Sequence, residues 1–239
     1  MPSSIFLTGQ WKHLAMINYE VEPGLLGPYV PPGTELDSWN GKTFASLVGF
    51  MFLETRVLGF KLPFHHSFEE VNLRFYVRRK ADDGWRRGVV FIKEIVPRRA
   101  IATVARLVYN ENYSAMPMRH LIEMDDKSGR VEYGWRYQGR WNHLRVTTTG
   151  EAQKLIEGSE AEFITEHYWG YAAQSGGGCV EYQVEHPRWL VWEACNRSLD
   201  CDVSGIYGER FASALNSEPS SAFLALGSEI IVRRGVRLS

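Results

Sequence analysis

The chain has 239 residues, with an apolar fraction of 44% and an aromatic fraction of 13%. That is enough to bury a sizeable core in one large β domain or two small ones. A formal net charge of -1 supplies no long-range field for nucleic acid or an anionic membrane.

Cys179, Cys195 and Cys201 include no C-x-x-C pair, so neither a disulfide framework nor a metal set is expected. The start Met1-Pro2-Ser3-Ser4 lacks a basic segment followed by an apolar core. No run approaches the roughly 20 apolar residues that span a bilayer, and a cytoplasmic location is the expectation. No repeat or Pro/Gly/Ser-rich linker divides the chain, so residues 1–239 are read as one domain.

In chain order, turn signals fall at Pro31-Pro32-Gly33, Asn40-Gly41, Asp82-Asp83-Gly84, Ser128-Gly129 and Ser175-Gly176-Gly177-Gly178. The run Phe44–Phe52 is apolar on both alternating sets and predicts a strand covered on both faces. Phe68–Arg78 alternates: Val71, Leu73, Phe75 and Val77 share one face, and Glu70, Asn72, Arg74 and Tyr76 the other. Val89–Val96 and Val131–Tyr137 are further strands. Phe163–Tyr171 and Val180–His186 read as arms of a hairpin around the glycine run, and Glu229–Arg237 as a closing strand. Helical spacing marks Arg99–Tyr109, Ser159 with Glu162 is a capping-box pattern, and Gly205–Leu215 is a third candidate. Many strands with a few short helices predict a mainly β (α+β) barrel or bent sheet.

Lys93 and Glu94 lie within an apolar run. Simple alternation puts Lys93 with Val89, Phe91 and Ile95, and Glu94 with Val90 and Ile92. Either one faces a barrel interior, where desolvation shifts its pKa, or both reach water at a strand end, which is the preferred reading. The polar stripe of Glu70, Asn72, Arg74 and Tyr76 is either a solvated sheet face or a cavity lining that would pair Glu70 with Arg74; periodicity alone favours the solvated face. His167 and His186 form the best histidine pair, diagonal on one face if Thr165 lies opposite His186; a slip of one residue would separate them. His65, His66, His120 and His143 show no metal spacing. The basic runs Arg78-Arg79-Lys80 and Arg86-Arg87 read as turn charges.

Several segments together carry a family resemblance. They are Leu25–Asp37 with its Pro-Pro-Gly turn, Phe68-Glu-Glu-Val-Asn-Leu-Arg-Phe-Tyr-Val77, Ala105–Tyr109, Glu166–Tyr171 and His186-Pro-Arg-Trp189. Over roughly residues 8–195 the chain resembles the YqjF-like family of uncharacterised bacterial proteins, a branch of the acetoacetate decarboxylase-like superfamily. The resemblance implies a bent antiparallel barrel around a central cavity, with short peripheral helices. It also implies an inward Glu70 as the acid–base residue, with Asn72 and Arg74 lining the cavity.

The decarboxylase relatives form a Schiff base through a lysine activated by a second lysine. In the matching stretch Arg106 survives, but residues near Tyr113 and Ser114 replace both lysines, so imine chemistry is not implied unless Lys93, the only lysine in a mainly apolar strand, substitutes. The expected partner is a small carboxylate or carbonyl compound, held by Glu70, Asn72, Arg74, Arg106, Tyr113 and His167, with no cofactor or metal. A homo-oligomer is left open. The alternative is a non-catalytic sensor or interaction scaffold.

Overall fold

The structure, a computed structural model, describes residues 3–61, 66–98, 112–125 and 127–238. Its strands are β1 (Ile5–Val21), β2 (Glu35–Leu36), β3 (Thr43–Val57), β4 (Phe60–Lys61), β5 (Phe68–Ala81), β6 (Gly84–Val96), β7 (Tyr113–Ala115) and β8 (Met118–Met124). They continue as β9 (Ser128–Tyr137), β10 (Arg140–Thr149), β11 (Gln153–Lys154), β12 (Trp169–Ala173), β13 (Cys179–Glu185), β14 (Leu190–Asp200), β15 (Ser221–Arg233) and β16 (Val236–Leu238). Short helices are α1 (Pro23–Leu26), α2 (Glu160–Thr165), α3 (Val203–Tyr207) and α4 (Glu209–Leu215). The expected helix Arg99–Tyr109 and Arg106 within it lie outside the described residues.

Strands β13, β12, β6, β5, β3, β1 and β15 follow one another in the sheet, and β13 pairs again with β15 through Val184↔Val232, closing a ring. From β15 the sheet continues through β14, β10 and β9 to β8. This extension lies against the outside of the ring: a Cβ added at Gly49 on β3 would stand 2.5 Å from the Tyr133 ring of β9. Pairing is antiparallel except where β6 meets β12 and β7. The bent, mainly β barrel expected from the sequence is therefore present.

Two apolar cores result. The outer one joins Leu47, Val71, Leu73 and Phe75 to Tyr133, Trp135 and Val146. The other collects Met16, Phe44, Val48, Phe50, Phe52, Tyr76 and Phe223 from the ring strands. β3 contributes to both, as its unbroken apolar run predicts.

Local chemistry accounts for most turns. Asn40 and Gly41 both adopt positive φ (51° and 78°), as a type I′ turn requires. Ser159 caps α2, its hydroxyl accepting from the Glu162 amide at 3.2 Å.

Some expectations need correction. Residues Phe163–Thr165 belong to α2, and the hairpin arm starts only at Trp169, because the capped helix claims the preceding turn. Ser128 and Gly129 lie inside β9, paired with Thr149 and Thr148, so the turn comes earlier. The third helix candidate is two helices that meet at Gly208 (φ 96°). The closing strand begins at Ser221, well before Glu229.

Candidate functional site

Ring closure decides where the polar stripe of β5 points. Glu70, Asn72, Arg74 and Tyr76 are 3%, 2%, 8% and 1% exposed. The solvated face favoured by periodicity is thus wrong, because the ring covers this side while the β8–β10 extension covers the other. Asn72 Nδ2 donates to Glu70 Oε1 at 3.1 Å, and the Tyr113 hydroxyl donates to Glu70 Oε2 at 3.4 Å. Arg74 reaches the Ile164 carbonyl of α2 at 3.5 Å rather than Glu70, and its guanidinium lies 5.8 Å from the Tyr76 ring centroid.

A bulge in β6 resolves the Lys93–Glu94 question. Leu73 pairs with Lys93 but Arg74 pairs with Phe91, so one residue of β6 is extra and the alternation changes phase there. Glu94 stands opposite Asn72 and Tyr113 and is 1% exposed. The reading in which both charges reach water therefore fails for Glu94. Lys93 shares the outward phase of Leu73, and its ammonium donates to the Ile206 carbonyl of α3 at 2.9 Å. It cannot serve as an imine lysine beside Glu70.

A second polar group occupies the α2 end. His167 packs on the Tyr76 ring (4.6 Å) and the Phe163 ring (5.3 Å). Its Nε2 lies 3.4 Å from Asp37 Oδ2 and 3.3 Å from Arg87 Nη2. Burial pushes the imidazole down to about 4 against the stabilising Asp37, with Arg87 adding to the drop, so His167 is neutral at pH 7. Burial also opposes ionisation of Asp37, but hydrogen bonds from His167 and Arg87 hold its carboxyl below the usual range. The cluster opens on a surface depression of about 340 Å³, which Asp37, Arg87 and Phe163 line together with Trp39, Arg78 and Trp85.

His186 does not join His167. Trp169 pairs with Gln183 and Gly170 with Tyr182, one residue away from the expected register. His186 instead stacks on Trp189 at 4.3 Å, with Tyr168 at 4.8 Å.

Sequence reasoning missed a buried chain in which Ser221 accepts from Asn18, Ser46 donates to Asn18 at 2.6 Å, and Ser46 meets the Tyr76 hydroxyl at 2.7 Å. It also missed Asp37, although that residue ended one of the resembling segments. Ser46 and Asn18 sit in apolar strands, and that interruption was the available signal.

Several polar atoms remain unsatisfied. Asn72 Oδ1, Arg74 Nε and His167 Nδ1 are buried without a hydrogen-bond partner among the described residues. Each such atom costs about 1–3 kcal/mol. No group of three or more His, Cys, Asp or Glu among the described residues is placed to hold a metal ion. No helix among them is long and apolar enough to cross a membrane.

Comparison with known proteins places this geometry. An acetoacetate decarboxylase-like enzyme from Sphingomonas wittichii RW1 superposes with a TM-score of 0.69 at 13% identity, covering 99% of this chain and 94% of that one. The enduracididine biosynthesis enzyme MppR, complexed with pyruvate, gives 0.68 at 13% identity over 100% and 92%. Acetoacetate decarboxylase from Legionella pneumophila gives 0.64 at 13% over 99% and 88%. The fold is thus acetoacetate decarboxylase-like. In sequence, the uncharacterized protein YqjF of Bacillus subtilis is 27% identical over 205 residues, 81% of this chain and 78% of YqjF. The family model DUF2071, described as an uncharacterized conserved protein, matches residues 8–229, and the chain belongs to that family.

Proposed function

We propose that the ring interior binds a small organic acid or carbonyl compound and that Glu70 acts there as an acid–base group. Arg74 is the anchor for a carboxylate or enolate oxygen through charge-assisted hydrogen bonds; Arg106, which the resemblance adds to this set, lies outside the described residues. Asn72, Tyr113 and His167 are the remaining polar lining. The observation that carries this reading is the cluster of Glu70, Asn72 and Arg74, buried together with Asn72 Oδ1 and Arg74 Nε lacking partners among the described residues. Buried donors and acceptors of this kind are suited to hydrogen-bond a bound polar ligand. The pyruvate complex of a protein with this fold supports the ligand class.

A Schiff-base decarboxylase is not the reading. Tyr113 and Ser114 stand near the positions of the lysine pair, and Lys93 bonds to Ile206 on the other side of the sheet. β15, near the end of the chain, is a ring strand, which supports treating residues from 196 onward as part of the same domain.

The test is thermal unfolding with a panel of small carboxylates that includes pyruvate and acetoacetate. Stabilisation by at least one acid, abolished in Arg74→Ala, is expected. A flat response across the panel would sink the proposal. The mutual bonds among Asn72, Tyr113 and Glu70 favour a second reading, a binding protein without turnover. Stabilisation with no consumption of the bound acid identifies it.

A further inference from the structure

The inner face of the ring carries a polar row that crosses four strands. Ser221 of β15 pairs with Asn18 of β1, Asn18 with Ser46 of β3, and Ser46 with Arg74 of β5. Asn18 and Ser46 are fully buried, among apolar neighbours where such groups are costly unless hydrogen-bonded. At its far end the row leaves the interior, because Ser221 Oγ donates to Glu160 Oε1 of α2 at 2.5 Å. At the near end the Tyr76 hydroxyl meets Ser46 at 2.7 Å.

Proton counting fixes the direction of every bond in this chain. A carboxylate only accepts, and a hydroxyl has one proton to give. Ser221 gives its proton to Glu160, so it must accept from the Asn18 amide, whose Nδ2 lies 2.9 Å from Oγ. Asn18 then turns Oδ1 to Ser46, which donates to it at 2.6 Å. Ser46 has no second proton, so Tyr76 is the donor in the last bond. The phenol proton is thereby committed to Ser46, and the Tyr76 oxygen has no other hydrogen-bond partner among the described residues. To a molecule bound beside it, Tyr76 can offer only a lone pair.

Arg74 is a neighbour of this lone pair. Ser46 stands directly across from it, and the Arg74 guanidinium lies 5.8 Å from the Tyr76 ring centroid. One small acid can therefore place its carboxylate on Arg74 and the substituent of its adjacent carbon on Tyr76. Resting on the reading that the ring interior binds a small organic acid, we propose that Tyr76 selects acids bearing a hydroxyl on that carbon over the corresponding keto acids. A hydroxyl donates to the Tyr76 oxygen, whereas a keto oxygen sets two acceptors against each other. Glu160, three side chains removed from Tyr76, is a positioning residue that holds the phenol in its accepting role through Ser221, Asn18 and Ser46.

Calorimetric titration of the full chain with lactate and with pyruvate, acids of equal charge and nearly equal size, reads the preference. Lactate should bind about tenfold more tightly. Ser46→Ala turns the Tyr76 proton toward the ligand and should erase or reverse that ratio, and Tyr76→Phe should erase it. Glu160→Lys, which puts a group that can only donate at the far end of the chain, should narrow the ratio, while Glu160→Asp should retain it. A general effect of the charge change acts on both acids alike and leaves the ratio untouched. Equal binding of the two acids by the wild-type chain, tighter binding of pyruvate, or a ratio indifferent to Ser46→Ala and Glu160→Lys would each overturn the proposal. The infrared C–O stretch of Tyr76, isolated as the difference between wild type and Tyr76→Phe, separates donating from accepting phenols with no ligand present. A donating phenol is expected, and one that only accepts overturns the direction of the chain. A donating Tyr76 in a protein that binds no acid of either kind would instead sink the binding reading on which the ligand class rests.

Discussion

On β5, Val71, Leu73, Phe75 and Val77 face the outer core while Glu70, Asn72, Arg74 and Tyr76 face the ring interior, and every one of these side chains is more than nine-tenths buried. The two faces have equal burial and opposite chemistry. The outer face carries no polar atom to satisfy, so its burial converts directly into stability at about 25 cal/mol per Å² of apolar surface. On the inner face, Asn72 Oδ1 and Arg74 Nε have no hydrogen-bond partner among the described residues, so burial there opposes stability. Low exposure therefore does not separate core from site on this strand. Polar satisfaction does.

The sharpest way to break this comparison is to truncate one residue on each face. Phe75→Ala should cost about 3–5 kcal/mol, read from urea unfolding midpoints. Its neighbour Arg74→Met should leave stability within about 1 kcal/mol or raise it, because a buried charge whose one hydrogen bond among the described residues is long gives way to an apolar side chain of similar length. Equal losses at the two positions would mean that Arg74 is structural.

Acid should produce the next largest effect. The His167 imidazole falls from 6.5 in the unfolded chain to about 4 in the folded one, driven by burial. The unfolded chain therefore binds more protons in that interval. Stability is full above pH 6.5 and falls as the pH drops toward 4, by about 3 kcal/mol at most. Denaturation midpoints across this window should show the slope, and His167→Gln should flatten most of it. Burial also lowers His186 and His13, which leaves a shallower slope of the same sign. An unchanged profile in the variant would contradict a neutral buried His167.

The smallest effect concerns α2, whose Ile164 carbonyl receives Arg74. Ser159→Ala removes the helix cap and should cost about 0.5–2 kcal/mol. Any acid that stabilises the protein should still do so, since the cap touches none of the proposed ligand groups. Loss of binding in this variant would place the site closer to α2 than proposed here.

The alternation of β5 and the doubly apolar run of β3 were legible because pleat geometry fixes which residues share a face. The capping box of α2 and the Asn40-Gly41 turn were legible from local hydrogen bonding and positive φ. The direction of the polar stripe was not legible in the alternation, and only the family resemblance implied that Glu70, Asn72 and Arg74 face inward. It depends on β13 meeting β15 at Val184↔Val232, residues far apart in the chain. The Lys93–Glu94 phase failed for a different reason, since no residue type in β6 announces the bulge that reverses it. A one-residue difference in register parts His167 from His186, because residue spacing alone does not fix strand register.

The sequence by itself determined the strand content, the two-faced burial of β3 and the membership of each face of β5. These rest on periodicity and residue type, which are local. Only the tertiary structure decided that Glu70, Asn72 and Arg74 point inward, that Glu94 joins them, and that Lys93 turns away to α3. Inside and outside are not properties of a strand. They arise when the ring closes, and a single bulge then suffices to exchange a lysine for a glutamate at the interior wall.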